Sequence, residues 1–230
     1  MNIWQERLSL LKYKGGLKAA LFWLIKILGR IEIHFFYAID LTRQQYPISQ
    51  AFGESPERDT FHFLSLNTAQ DLIMCPYELI EQINLQSGRS VSRLIHEDAG
   101  VYALIQQKQV VSQTNIDHST IIQVDSPAAL DIHLHPGDVF LGYLYTYPDY
   151  RGKGAAAALL RKVGKATQNR GYSRIVTHIR STNVASLNTF KKCGWSSIGW
   201  IVTSVRGRLL LTGHLSRIGI TISPTKQIKH

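Results

Sequence analysis

One stretch narrows what this chain can fold into more than any other. It reads Thr146-Tyr147-Pro148-Asp149-Tyr150-Arg151-Gly152-Lys153-Gly154, followed by four alanines at 155–158. An apolar run ends before it, Pro148 breaks the strand, and a turn with two glycines opens an alanine-rich helix. A strand–turn–helix of this kind is an anion site. The first-turn amides have no intrahelical acceptor, and the helix dipole favours negative charge there. Gly152 and Gly154 let backbone approach an anion with no Cβ in the way. Arg151 and Lys153 add positive charge, and Ala155 and Ala156 leave room for a ligand. The spacing is neither a Walker loop nor the dinucleotide Gly-x-Gly-x-x-Gly.

The surrounding pattern predicts an α/β chain. Strands are expected at 31–39 and 61–66, helical structure over 68–97, and neighbouring antiparallel strands at 101–106 and 109–116 turning at Lys108. Short strands at 121–124 and 131–135 are weaker expectations. From 138 the alternation sharpens: strand 138–146, helix 152–170, strand 173–180, helix 183–193, then strands near 198–205 and 208–215. No repeat or low-complexity tract interrupts the 230 residues, whose 44% hydrophobic content excludes wholesale disorder.

Charge is divided unevenly. Residues 1–149 carry 11 Lys/Arg against 16 Asp/Glu, a net of −5, whereas residues 150–230 carry 15 Lys/Arg and no acid, a net of +15. The last third therefore favours a phosphate-bearing partner over a plain solvated surface only if a site organises that charge. No nucleic-acid recognition motif accompanies it, so no nucleic-acid partner is expected. Cys75 and Cys193 make neither a disulfide framework nor a zinc pattern, which fits a reducing compartment and no metal.

Near the N-terminus, Leu17, Leu21, Leu24 and Leu28 share one helical face while Lys14, Lys18, Lys26 and Arg30 follow another row. This predicts an amphipathic helix over about 15–29, too short in its apolar run to span a bilayer. It packs on its own domain or lies at a membrane interface with Trp4, Phe22 and Trp23 at headgroup level. The expected layout is a helical extension over 1–30 and one domain over 31–230.

The segment Arg151-Gly152-Lys153-Gly154-Ala155-Ala156 resembles the Arg/Gln-x-x-Gly-x-Gly/Ala signature of the GNAT acyltransferases. A second stretch, from Asn183 through Ser186 to Gly194-Trp195, is similar to that family's Asn-x-x-Ala/Ser…Tyr-x-x-x-Gly-Phe helix. The two motifs and the elements joining them cover about 138–205. The resemblance implies a GNAT fold, a mixed and mostly antiparallel central sheet flanked by helices, and acetyl-CoA or another acyl-CoA as co-substrate. It implies that the 151–156 loop holds the coenzyme A pyrophosphate. Leu144, Tyr145 and Thr146 would line the pantetheine arm where two strands splay, one amide serving as oxyanion donor. Asn183 and Ser186 would contact pantetheine or the adenosine-phosphate end, although Asn183 serves equally as a helix N-cap.

Members of this family let an amine attack the bound thioester directly. His178 matches the position of a glutamate base in the branch that acetylates ribosomal protein N-termini, and imidazole titrates near neutrality. Its other reading is a strand histidine satisfied by its neighbours. Phe140 stands where histone-type members keep a catalytic glutamate, so that base is missing, and Asp138 reads as a strand-edge residue. Phe190 replaces the tyrosine that protonates the departing thiolate in many members. His133, His135, Tyr143 and Tyr145 are further candidates for an acceptor pocket.

The layout more loosely resembles bacterial GNAT proteins associated with surface-polysaccharide biosynthesis. That implies a small-molecule amine acceptor, an amino sugar or nucleotide-linked sugar, and a cytoplasmic protein with the inner membrane as a peripheral partner of 15–29. The alternatives are a peptide or protein amine as acceptor, and an acyl-CoA-binding sensor without turnover.

Overall fold

The apolar runs pair into one eight-stranded sheet in the computed structural model, which describes residues 29–42, 61–124 and 130–225. The helix expected at 15–29, with Trp4, Phe22 and Trp23, lies outside the described residues except for Gly29, which sits in a turn. The elements in chain order are β1 (Ile31–Asp40), β2 (His62–Leu66), α1 (Ala69–Met74), α2 (Tyr77–Asn84) and α3 (Val91–His96). Next come β3 (Ala99–Gln106), β4 (Gln109–Asp117), β5 (Ile121–Gln123), β6 (Leu130–His133) and β7 (Asp138–Thr146). The chain continues through α4 (Ala155–Asn169), β8 (Arg174–Arg180), α5 (Val184–Lys192), β9 (Ser196–Ser204), β10 (Leu209–Gly213) and β11 (Thr221–Pro224).

The large sheet has the order β10-β9-β1-β8-β7-β4-β3-β2, and β11-β6-β5 form a second, small sheet. Every pairing in the large sheet is antiparallel except β7 with β8. The first described strand therefore lies inside the sheet, between β9 and β8. His34 lies opposite Arg180 on β8 and Ile201 on β9, so β1 bridges the C-terminal strands to the rest.

Strand alternation divides the packing between two faces. On one face Val139, Leu141, Ile175 and Ile179 pack with Ala155, Ala158, Leu159 and Val163 of α4, and with Phe190 and Trp195. On the other face Phe36, Phe140 and Val176 meet Ile132, Leu130 and Leu215, the small sheet forming the cover. Helices α1–α3 cover the β2–β3–β4 end of that same face through Ile83, Val91 and Leu94.

The ion pair that ties the base of this arrangement is buried. Arg174 holds Asp138 with two parallel contacts, Nε to Oδ1 at 2.9 Å and Nη2 to Oδ2, and Nη2 also donates to the Ile218 carbonyl at 3.1 Å. Asp138 thus stands at the start of β7 as the buried half of an ion pair.

Two expectations need correction. The helix predicted over 152–170 begins at Ala155, because Pro148–Tyr150 form a turn of 3-10 helix and Gly152 and Gly154 both have positive φ. The last strand ends at Gly213, and the chain then makes a 3-10 turn and β11, neither of which is anticipated.

Candidate functional site

Strands β7 and β8 pair over only three positions, ending at Phe140 opposite Val176. Beyond that point the two part. A bulge drives the separation: Asn115 on β4 faces Gly142, but Gln113 faces Tyr145, so β7 carries two residues, Tyr143 and Leu144, against Thr114 alone. Tyr143 takes the strained φ of +22° that this requires. Polar side chains of β4 pin the bulge, Thr114 donating to the Gly142 carbonyl at 2.7 Å and Ser112 to the Tyr145 carbonyl at 3.0 Å. On the other flank Thr177 of β8 donates to the Leu141 carbonyl at 2.8 Å.

The backbone beyond the bulge faces two ways. The Tyr145 carbonyl and the Tyr147 N–H both point to β4, the latter donating to Val111 at 3.0 Å. Strand alternation turns the N–H and C=O of Leu144 and Thr146 toward the gap. A strand edge in that state can bind an extended amide-containing chain.

At the open end the turn and helix N-terminus follow. Gly154 is the N-cap of α4 at φ +81°, a left-handed conformation, and supplies no side chain to satisfy the first turn. The first intrahelical bond runs from Ala158 N–H to the Gly154 carbonyl at 3.0 Å, so the amides of Ala155, Ala156 and Ala157 have no acceptor within the helix. A Cβ on Gly152, at φ +75°, would meet nothing within 4 Å. Arg151 lies across the turn, its Nε donating to the Thr146 carbonyl at 3.0 Å and its guanidinium 5.7 Å from the Tyr145 ring centre. Lys153 sits 5.8 Å from the Tyr150 ring centre.

Two cavities meet in the gap. The smaller, about 530 Å³, is lined by Leu144, Tyr145, Thr146, Arg151, Gly152, Gly154, Ala155, Ala156, Asn183 and Ser186, together with Lys192 and Cys193. The larger, about 920 Å³, lies toward the face covered by the small sheet and shares Leu144, Tyr145, Asn183 and Ser186 with the first. Its further walls include His34, Arg89, Asp117, Phe140, His178, Arg180 and Phe190. The structure therefore brings together, around one continuous gap, every residue nominated for the coenzyme or for proton transfer except Lys153, which stands beside it on the turn, whereas His133 and His135 line neither cavity.

The chemistry of individual groups differs from expectation in places. Asn183 is the N-cap of α5, its Oδ1 accepting the Ser186 N–H at 3.1 Å, so the capping reading is realised. Phe190 is buried edge-on against Trp195 at 4.8 Å and has no proton to give. Burial pushes the Cys193 thiol up to about 11, which leaves it unreactive at neutral pH.

His178 needs the largest revision. Its ring sits among His34, Phe36 and Phe140, with centres 5.4, 6.0 and 5.7 Å away, and its Nδ1 is sealed from solvent without a hydrogen-bond partner. Desolvation, reinforced by His34 and Arg180, pulls its pKa down to about 3. Burial of the Nδ1 side thus favours the neutral ring at pH 7, while the half-buried side chain still lines the larger cavity.

Of the other candidates, Tyr143 and Tyr145 line the larger cavity. His133 instead bonds Ser223 in the small sheet at 2.8 Å, and His135 Nδ1 contacts the Pro136 carbonyl at 2.8 Å. The sequence reading passed over Asp117. The signal for it is the run of polar residues from Ser112 through Asn115 to Asp117 in a strand that pairs on both sides.

Among the described residues no group of His, Cys, Asp and Glu has the arrangement to hold a metal, and no helix is long and apolar enough to cross a membrane.

No curated protein matches the chain in sequence. Among solved structures it is similar to a protein of the GNAT family from Novosphingobium aromaticivorans, at 16% identity and TM-score 0.46, over 75% of this chain and 63% of that one. A GCN5-related N-acetyltransferase from Sphaerobacter thermophilus aligns at 14% identity and TM-score 0.48, over 84% of this chain and 58% of that one. The ribosomal-protein-S18-alanine N-acetyltransferase from Escherichia coli aligns at 17% identity and TM-score 0.39, over 58% of this chain and 76% of that one. The chain thus spans less than two thirds of the length of the first two of these structures. Residues 115–195 match the model of the acetyltransferase (GNAT) family, a span that takes in β7, the glycine turn, α4, β8 and α5. That match covers about a third of the chain, the segment in which the sheet parts at β7 and β8, and over it the chain is similar to the GNAT family.

Proposed function

We propose that the chain is an acyl-CoA-dependent N-acyltransferase that passes an acetyl group from acetyl-CoA directly to an amine. The observation that carries this reading is the meeting of three groups at one gap. These are the free amides of Ala155, Ala156 and Ala157, the outward backbone of Leu144 and Thr146, and the cavity on the far face. A ligand with a pyrophosphate at one end, amides in its middle and a thioester at its tip matches that order of features. In this reading Arg151, Gly152, Lys153, Gly154, Ala155 and Ala156 hold the pyrophosphate, and Leu144, Tyr145 and Thr146 hold the pantetheine arm. Ser186 borders the same groove, with Asn183 fixing the start of α5.

Chemistry follows from position. A backbone N–H beside the bulge polarises the thioester carbonyl and stabilises the tetrahedral oxyanion. The amine enters from the larger cavity and attacks without a covalent enzyme intermediate, so proximity supplies much of the rate. His178, held neutral by burial, lines the wall of the larger cavity. Since Phe190 has no proton to give, the thiolate is protonated by the amine or by water.

The acceptor belongs to the same proposal: a small-molecule amine, with amino sugars and nucleotide-linked sugars the class suggested by the overall layout. The domain layout, an extension over 1–30 and one domain over 31–230 with its acyl-CoA core at about 138–205, does too. So does a cytoplasmic setting with 15–29 peripheral to the inner membrane. A second reading, an acyl-CoA sensor with weak or no turnover, is favoured specifically by Phe190 and by the suppressed basicity of His178.

Steady-state release of free coenzyme A thiol from acetyl-CoA, with and without a panel of primary amines, tests the choice. Amine-dependent release supports the transferase. Tight acetyl-CoA binding with no release under any amine supports the sensor.

A further inference from the structure

The geometry points to Asp117 as the group that receives the acceptor's ammonium and takes its proton, an inference that rests on the acyltransferase reading and names the missing base. Asp117 is the sole carboxylate among the described residues that line either cavity. It ends β4 directly opposite Phe140 on β7 and opposite Ala99 on β3, so its side chain shares the sheet face of Phe140. Phe140 in turn stacks on His178 at 5.7 Å. The carboxylate therefore stands one strand over from Phe140, on the wall of the cavity through which an amine would enter.

Its surroundings suit a cationic guest. Asp117 is half-buried; its Oδ1 accepts the Ser119 N–H at 2.9 Å and the Ser119 side chain bonds the carboxylate as well, which fixes the group on the cavity wall. Charged and titratable groups face it from each neighbouring element. Arg89 comes from the turn between α2 and α3, Asp98 from the turn before β3, and His178 and His34 from β8 and β1 across Phe140. Arg89 is already engaged by Glu97 at 3.0 Å, and the His178 ring stacks on Phe140 at 5.7 Å on the wall of the same cavity. Desolvation holds the Asp117 carboxyl above the usual range, a direction that brings a proton acceptor closer to its donor.

The step balances. An ammonium N–H bond breaks and its proton moves to the Asp117 carboxylate. The freed lone pair forms the N–C bond at the thioester carbonyl, and the C–S bond breaks. The nitrogen's surplus proton passes to the thiolate, giving the amide and coenzyme A thiol, and Asp117 returns its proton to water.

The test uses the full chain with acetyl-CoA, thiol release as readout, and calorimetric acetyl-CoA binding beside it. Probe amines are spermidine, kanamycin and glucosamine, which are largely ammonium at pH 7, and hydroxylamine, which is largely neutral there. Asp117→Asn is expected to bind acetyl-CoA as the wild type does. It should lose about 10²-fold or more in kcat/KM with the ammonium probes, show the acid limb of their pH profile moved up toward the amine's own pKa, and lose less than about tenfold with hydroxylamine. Asp117→Glu, which keeps the charge, should recover part of the rate and supplies the comparison if the Asn variant is unstable. Equal losses with both kinds of amine, or ammonium turnover within about twofold of wild type, would overturn the assignment while leaving the transferase reading intact. A wild type that binds acetyl-CoA and acetylates none of the probes would overturn both.

Discussion

The Thr177 hydroxyl donates to the Leu141 carbonyl at 2.8 Å, one residue past the last pairing of β7 with β8. This bond marks the vertex of the gap. Up to it the two strands run as neighbours; beyond it the bulge at Tyr143 and Leu144 carries β7 away, and every group proposed to hold the coenzyme lies on the open side. Thr177→Val keeps the shape and removes the donor, leaving a buried carbonyl unsatisfied. The expected cost is about 1–2 kcal/mol, read as a fall of a few degrees in thermal midpoint, together with weaker acetyl-CoA binding from a looser vertex.

The glycine turn makes separable demands on stability and on binding. Gly152 and Gly171 both have positive φ, +75° and +87°, and neither Cβ would meet an atom within 4 Å. Alanine at either position should therefore cost a similar amount, about 1 kcal/mol. Only Gly152 borders the smaller cavity. Gly152→Ala should weaken acetyl-CoA binding about tenfold, whereas Gly171→Ala should leave it unchanged, as calorimetry and thermal melts on the two variants would show.

The Asp138–Arg174 pair is a stability element. Asp138 is almost wholly buried and Arg174 largely so, with side-chain exposures of 3% and 22%. Asp138→Ala would leave a guanidinium at the base of β8 with only the Ile218 carbonyl for company. Breaking such a pair costs about 3–5 kcal/mol, so the variant should unfold at markedly lower denaturant while the bulge and glycine turn are untouched.

His178 gives a pH prediction of definite sign. Its folded pKa of about 3 lies below the ordinary 6.5, so the unfolded chain binds a proton that the folded chain refuses. Its contribution to stability is complete above about pH 6.5 and is lost progressively as pH falls from there toward 3. His178→Phe should flatten the acid arm of the stability profile over that window. In the wild type the His178 ring resonances should stay those of a neutral imidazole from pH 8 to pH 5. A midpoint near 6.5 would return this residue to the role of base.

The elements that carry binding were legible because local chemistry sets them. Pro148, Gly152 and Gly154 punctuate the chain whatever surrounds them, and the alternation of β7 and β8 survives any tertiary context. The helix start was misjudged by three residues for a local reason too: two left-handed glycines cannot begin an α-helix, so α4 waits for Ala155. What stayed hidden depends on partners distant in sequence. Nothing in residues 31–40 says that the strand inserts between β8 and β9, and nothing in 221–224 says that it closes a second sheet on β6. The bulge is visible only once Gln113 and Asn115 are set against Tyr145 and Gly142. His178 was read from its type, when its basicity is decided by Phe36, Phe140 and His34 around it. Asp117 was missed for the complementary reason, since its place in the cavity follows from pairing with Phe140 rather than from any motif.

The central claim, that an acyl-CoA pyrophosphate lies on the α4 N-terminus, is tested most directly by calorimetric titration of the chain with acetyl-CoA beside Arg151→Glu. Micromolar binding by the wild type and a loss of tenfold or more in the variant are expected, because the substitution sets a carboxylate against the phosphates beside the free amides of Ala155–157. Wild-type protein that is folded and binds no acetyl-CoA, or a variant that binds as tightly as the wild type, would contradict it.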